Sequence, residues 1–518
     1  MNTPSVIIIG AGIGGIATAA HLARRGLRVT VLEKNEWPGG RCDYFERDGH
    51  RFNTGPTLLI MPHVYEQEFA ALGVSLHERL HLRRVDPTYH LVFDDGSQLA
   101  LTSDLKRMSE QLEAIEPGSF EGFLRYLGEG YRHYDLAMER LVERDFRTAS
   151  EFFTFRNVPL LFSLKPLTHH YHHMASYFTA PRLKAAFTFQ DVYMGLSPFE
   201  APSTFSMMAS TELMHGVWYP RGGMYGVVEA LMEVARAAGV EFQFHAAVER
   251  IEIASHRARG VVLADGRQLA ADIVIANADL PYVYQRLLPD SGAAKRMARK
   301  QYSCSTVSFF WGIDKSYPAL EPHTLFLADD YQENFASISQ RRDLPDNPSL
   351  YIHAPARLDA TSAPPGEDTL IAVVPVGHLD DTTTQDWRRI RARAREAVFQ
   401  RLALLGITDI RDHLKFEVNY VPLSWRKRYN LMKGATHGLA HTLTQLGYLR
   451  PHNRHPHYHN LYFVGASTHP GTGVPTALVC ARQVADRVME DMGGVNTLSE
   501  LVPPAPIGRV RYSAVHTP

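Results

Sequence analysis

An α/β fold, in which a parallel sheet is interrupted by a long α+β insertion, is what the sequence predicts, and three stretches carry that prediction. Val6 to Ile9 is short, β-branched and wholly apolar, as a strand buried on both faces must be, and it stops at Gly10. After a long helical stretch, strand-like runs return at Phe242 to Ile253 and Gly260 to Ala276. Finally, Asn460 to Gly465 is a second apolar strand running into glycine, followed by Gly471, Gly473 and a helix from Val474 to Met489. Distant segments of this kind close one sheet most economically, so the first domain is expected to be discontinuous in sequence.

The start of the chain is a nucleotide cradle. Gly10 permits the tight turn, Gly12 lets the backbone approach a pyrophosphate, and Gly14 and Gly15 begin a helix that packs close to the strand. Free amides at that helix start then face the phosphates, where the helix dipole favours negative charge. Leu27 to Leu32 reads as the next parallel strand, with Glu33 at its end, placed to accept hydrogen bonds from ribose hydroxyls. Strand, glycines, helix, strand and acid in one unit make a Rossmann-like dinucleotide site. A secretory segment is a poor alternative, because no basic residue precedes the apolar run.

Pro38-Gly39-Gly40-Arg41 follows, where a loop is placed to close over the dinucleotide and Arg41 to bring charge to its diphosphate. Tyr44 to Phe52, broken by Asp48-Gly49, reads as a hairpin; so does Tyr89 to Leu101 around Asp94-Asp95-Gly96-Ser97. Between them, Gly55-Pro56-Thr57 is a turn-forming segment. Apolar residues at helical spacing from Leu105 to Leu136 predict helices separated by Pro117-Gly118.

Phe152 to Gln190 contains no Asp or Glu; Arg156, Lys165, Arg182 and Lys184 stand among Phe, Leu, Tyr and Met. Such a stretch is either a surface dipping into an anionic lipid interface or a helical cap whose apolar residues face the core. Gly216 to Gly223 precedes a helix from Met224 to Ala238, and further strands are expected at Thr306 to Ile313, Ser349 to His353 and Thr369 to Val376, with a helix from about Thr384 to Leu405. The expected division is 1–80, 215–285 and 450–495 for the dinucleotide domain, 81–214 and 286–449 for a substrate and membrane-associating domain, and a Pro-rich tail over 496–518.

Composition excludes several classes. The formal net charge of -1 gives no reason to expect nucleic acid, and the widely spaced Cys42, Cys304 and Cys480 fit a reducing compartment without a disulfide framework. No apolar run outside the glycine-rich start approaches the length of a membrane span. Histidine is abundant at 26 residues, yet His455, His457 and His459 have no acid or cysteine among them, so no metal site is expected.

The run N-L-Y-F-V-G-A-S-T-H-P-G-T-G-V-P from Asn460 to Pro475, with S-P-F-E-A-P-S-T-F-S from Ser197 and G-V-W-Y-P-R-G-G from Gly216, resembles the bacterial and fungal phytoene desaturases, carotenoid desaturases of the flavin amine oxidase superfamily. Cys480 departs from that pattern, which usually has a small Gly or Ser there. The resemblance implies FAD as the dinucleotide. By position it places Gly10, Gly12, Gly14, Gly15, Gly40 and Arg41 at the diphosphate and Glu33 at the adenosine ribose; Val248 reaches the adenine through its backbone, Gly465, Gly473 and Val474 lie near the diphosphate and flavin, and Gly55, Pro56 and Thr57 approach the isoalloxazine.

It also implies an enzyme that desaturates a carotenoid or other polyprenyl hydrocarbon, with quinone or oxygen as electron acceptor; the acid-free stretch and the insoluble substrate predict peripheral membrane attachment, and the cysteine spacing a cytoplasmic location. Flavin carries the hard step, so an apolar channel does most of the recognition. For the proton acceptor, Asp191 and Glu200 flank G-L-S-P, and Arg221 is placed to fix one of them. Carotenoid isomerase, saturase and terminal oxidase remain open on the same scaffold, as do a non-enzymatic prenyl-lipid carrier and an amine oxidase.

Overall fold

The computed structural model describes residues 3–289, 291–382 and 384–493; the Pro-rich tail expected over 496–518 lies outside them. Five strands form one parallel sheet in the order Leu461–Phe463, Ile273–Ala276, Ser5–Ile9, Arg28–Leu32 and Glu241–Gln243. Ser5–Ile9 is central, pairing Val6 to Ile9 with Ile273 to Ala276 on one side and with Val29 to Leu32 on the other. Its apolar, β-branched composition suits that position, since both faces are covered.

On one face the helices Ile13–Arg24, Tyr225–Ala237 and Val474–Asp491 bury Ile16, Ala20, Val228, Leu231, Leu478 and Val484. The other face carries a three-stranded antiparallel sheet, Val248–Ala254, Arg257–Leu263 and Gln268–Ala270, whose Ile251, Val261 and Leu263 pack on Ile7, Ile9 and Val274. The expected run Phe242 to Ile253 is thus two strands, not one. Glu241–Gln243 extends the parallel sheet, and the left-handed residue His245 turns the chain toward the second sheet.

A seven-stranded sheet forms the second layer, ordered Leu414–Tyr420, Ser305–Ile313, Asp368–Val376, Leu350–His353, His323–Leu327, Tyr89–Phe93 and Gln98–Leu101. Ser305–Ile313 is buried at every residue. Helix Trp387–Ala403 covers one face, stacking Phe399 on Trp311 at 5.0 Å between ring centroids. Beneath the Tyr89 end lie Leu105–Ile115, which Asp104 caps by accepting from the amides of Lys106 and Arg107, and Ser119–Ala137.

The acid-free stretch divides. Met174, Phe178, Leu183, Phe187 and Phe189 are core, whereas Phe153, Phe155, Phe162 and Leu167 are 65%, 98%, 77% and 77% exposed. The core-facing expectation therefore holds for the second half of the stretch, and the first half leaves large apolar side chains exposed. Among the described residues no helix is long and apolar enough to cross a membrane, and no cluster of His, Cys, Asp and Glu suits a metal ion.

Candidate dinucleotide and substrate site

The glycines permit a close approach of three backbone segments. A Cβ on Gly15 would stand 2.2 Å from the Gly10 carbonyl oxygen, and one on Gly10 would stand 2.4 Å from that of Asn277. Asn277, at the end of strand Ile273–Ala276, wedges its side chain between Gly12, Gly14 and Gly15 and donates its Nδ2–H to the Val464 carbonyl at 3.1 Å. Asn277 was not among the sequence-predicted site residues; its position at the mouth of a strand, beside Ala278-Asp279, was the available signal.

Helix Ile13–Arg24 has Gly12 at its N-cap, and Val474–Asp491 has Gly473; neither has a side-chain cap. Two helix starts with uncapped amides, packed side by side, suit an anionic diphosphate. Glu33 is buried at 5% exposure, and its two oxygens accept from the amides of Ala11 and Asn35, both at 2.8 Å. Each oxygen keeps a lone pair for a ribose hydroxyl. Ala246 donates its amide to the Glu33 carbonyl, which brings Val248, 9% exposed, to the same end of the sheet.

Gly39 donates its amide to the Ala11 carbonyl at 2.8 Å, so the Gly39-Gly40-Arg41 loop lies over the cradle. Arg41 donates to the Thr436 carbonyl at 2.9 Å; burial lowers its guanidinium, and nearby Asp279 opposes the shift. Burial raises the Asp279 carboxyl, which accepts from Ser467 Oγ at 2.7 Å and from the Met432 amide at 3.0 Å. Gly55 passes so close to Arg41 that a Cβ would stand 1.8 Å from the Arg41 carbonyl, and two residues on, Thr57 shares a hydrogen bond with Tyr351 at 2.8 Å. The Gly55-Pro56-Thr57 loop therefore links the cradle to the second sheet.

The other predicted groups are not brought together. Asp191 is fully buried, accepting from His170 Nδ1 at 2.9 Å, and burial raises its carboxyl. Glu200 is exposed, a poor setting for proton transfer in an apolar site. Arg221 is also exposed and faces Asp359, whose carboxylate accepts from the Gly222 amide at 2.7 Å, so Arg221 holds neither acid. Removing Glu33 tests the cradle directly. Glu33→Ala leaves two amides without acceptors and is expected to weaken FAD binding about 100-fold, read by titrating apoprotein with FAD.

A strand-glycine-helix cradle with a terminal acid, set beside a second mixed sheet, defines a two-layer dinucleotide-dependent oxidoreductase. The chain belongs to the flavin containing amine oxidoreductase family, which matches residues 13–489, and within it to the carotenoid desaturases. It is 42% identical to a phytoene desaturase of Fusarium fujikuroi over 95% of this chain and 90% of that protein. It is 39% identical to a zeta-carotene-forming phytoene desaturase of Myxococcus xanthus over 93% of each chain. The fold is shared with a putrescine oxidase solved with putrescine bound, at 14% identity and a TM-score of 0.64, over 94% of this chain and 99% of that one.

Proposed function

We propose that the protein is an FAD-dependent oxidoreductase that introduces double bonds into phytoene or a related linear carotenoid. The observation that carries this reading is the path of Gly55 to Thr57, which joins the cradle to an apolar core that includes Leu58, Tyr89, Phe189, Leu213 and Tyr351. Bound FAD supplies a hydride acceptor, so the chain needs no acid pair or triad to open a carbon-carbon bond. Gly10, Gly12, Gly14, Gly15, Gly40 and Arg41 hold the diphosphate, Glu33 the ribose and Val248 the adenine; Gly465, Gly473 and Val474 lie by the diphosphate and flavin, and Gly55, Pro56 and Thr57 by its ring. The segments 1–80, 215–285 and 450–495 form the FAD unit, and 81–214 and 286–449 the substrate unit. Apolar side chains of this core bind a hydrocarbon by burial at about 25 cal/mol per Å² and exclude water from the reacting carbons.

The substrate's insolubility, with the exposed Phe153, Phe155, Phe162 and Leu167 beside Arg156, supports peripheral attachment to a cytoplasmic membrane face, where quinone or oxygen takes the electrons. Each phenylalanine inserted into lipid contributes about 1.5–3 kcal/mol. Phe155→Asp combined with Phe162→Asp is therefore expected to abolish co-sedimentation with anionic vesicles while leaving flavin absorbance intact. Expression in cells that accumulate phytoene tests the reaction: more conjugated products support it, and unchanged phytoene beside flavin-loaded protein refutes it.

A further inference from the structure

Glu212 lies in helix Met207–His215 at 3% exposure, and its one hydrogen bond comes from Gln190 Nε2 at 3.3 Å. Its other oxygen, Oε1, and the Gln190 Oε1 are both buried without a partner. An ionised carboxylate in a packed core is costly unless cations or several donors surround it. The protein meets that requirement elsewhere: Asp368 receives both prongs of Arg357 at 2.7 Å, and Glu68 receives Arg482 at 2.7 Å. Glu212 is treated differently.

Gln190 belongs to the turn Phe189–Met194, which also carries Tyr193, and Ala209 and Leu213 of the Glu212 helix pack in one core with Tyr89 from strand Tyr89–Phe93 and Tyr126 from helix Ser119–Ala137. Tyr89 and Tyr193 share a hydrogen bond through their hydroxyls. From the Tyr89 ring it is 6.1 Å to the His323 ring; His323 Nδ1 bonds the Tyr351 hydroxyl at 2.7 Å, and Tyr351 bonds Thr57 at 2.8 Å. Along this row the Nε2 atoms of His323 and His353 are also buried without partners. A line of polar groups thus runs from Glu212 to the loop assigned to the flavin ring, through a core that is otherwise apolar.

The geometry points to Glu212 as the proton acceptor of the desaturation, an assignment that rests on the desaturase reading. One substrate carbon gives hydride to FAD; the electron pair of the neighbouring C–H bond becomes the second bond of the alkene, and its proton goes to Glu212 Oε1. The positive charge that develops at carbon meets a carboxylate without a competing cation. Burial raises this carboxyl to about 8, making its carboxylate a stronger base than an exposed glutamate.

The test compares FAD-loaded wild type, Glu212→Gln and Glu212→Asp in vesicles containing phytoene. Glu212→Gln keeps the volume and the Gln190 contact; it is expected to bind FAD normally, leave KM unchanged and lower kcat by about 100- to 10,000-fold. Wild-type kcat should rise with pH through about 8, where the carboxyl deprotonates, and Glu212→Gln should lose that rise. Glu212→Asp should retain it at an intermediate rate. Without substrate, infrared difference spectra of wild type should show a carboxyl band titrating over the same range, absent from Glu212→Gln. A working wild type beside an equally fast Glu212→Gln, or an unchanged pH profile in that variant, overturns the assignment alone. A flavin-loaded wild type that leaves phytoene unchanged overturns the desaturase reading and the assignment with it.

Discussion

Purified Gly15→Ala is expected to carry no flavin. The added methyl would stand 2.2 Å from the Gly10 carbonyl oxygen, 2.9 Å from Asn277 Oδ1 and 3.1 Å from Asn277 Cβ, so two fixed backbone segments must separate. No flexible side-chain end is available to yield at the Gly10 carbonyl. Such overpacking costs about 1–3 kcal/mol in the fold itself. The larger effect is on the cofactor, because the displaced elements are the turn and helix start whose amides face the diphosphate. The ratio of flavin to protein absorbance after purification checks this, and apoprotein titrated with FAD should show an affinity at least about 100-fold weaker.

Arg450→Met is expected to destabilise the protein by about 4–5 kcal/mol, among the largest effects a single substitution produces. Arg450 is 1% exposed, and its guanidinium donates to five main-chain carbonyls. Those of Leu439, Ala440 and Gln445 accept at 3.1, 3.2 and 3.0 Å, that of Thr468 at 2.9 Å, and that of Ala466 completes the set. One planar cation thereby ties the loop 439–445 to the segment that follows Gly465. Methionine fills the volume but takes the donor from the carbonyls of Leu439, Gln445, Ala466 and Thr468, while that of Ala440 keeps Gln445 Nε2 at 2.9 Å; a buried unmet polar group costs about 1–3 kcal/mol. Lysine cannot substitute, since its three donors radiate from one atom and cannot span the acceptors. Thermal unfolding of the flavin-loaded forms, with Arg450→Lys as the charge-retaining control, reads the effect; both variants should unfold at markedly lower temperature.

The parts legible in the sequence were those whose physics is local. Val6 to Gly15 specify a buried strand, a turn and a close helix within a few residues of each other, and Asp48-Gly49 and Gly96 specify hairpins by the turn they require. Discontinuity was legible too, because Asn460 to Gly465 repeats the strand-to-glycine pattern of the start. The pairing of Ile275 with both Ile8 and Tyr462 realises it.

Illegible were properties set by burial. Asp191 and Glu200 look equivalent beside G-L-S-P, yet a short 3-10 turn buries the first against His170 and leaves the second exposed. Glu212 is the only carboxylate between Glu200 and Glu229, in a stretch of Met, Ala, Ser and Thr; that isolation was the available signal. Arg450 reads as one more cation before Pro451, and only the irregular loops that surround it turn its carbonyl partners inward. The exposure of Phe155 beside the burial of Phe187 is likewise decided by tertiary packing, since both lie in equally apolar, acid-free sequence.

In the proposed reaction, hydride from a linear carotenoid reduces FAD held in this cradle. Anaerobic mixing of the flavin-loaded protein with phytoene in vesicles, followed by absorbance, measures it most directly. Loss of the oxidised flavin band together with one new carbon-carbon double bond per flavin reduced is the predicted result; a flavin that stays oxidised while phytoene remains unchanged would contradict it.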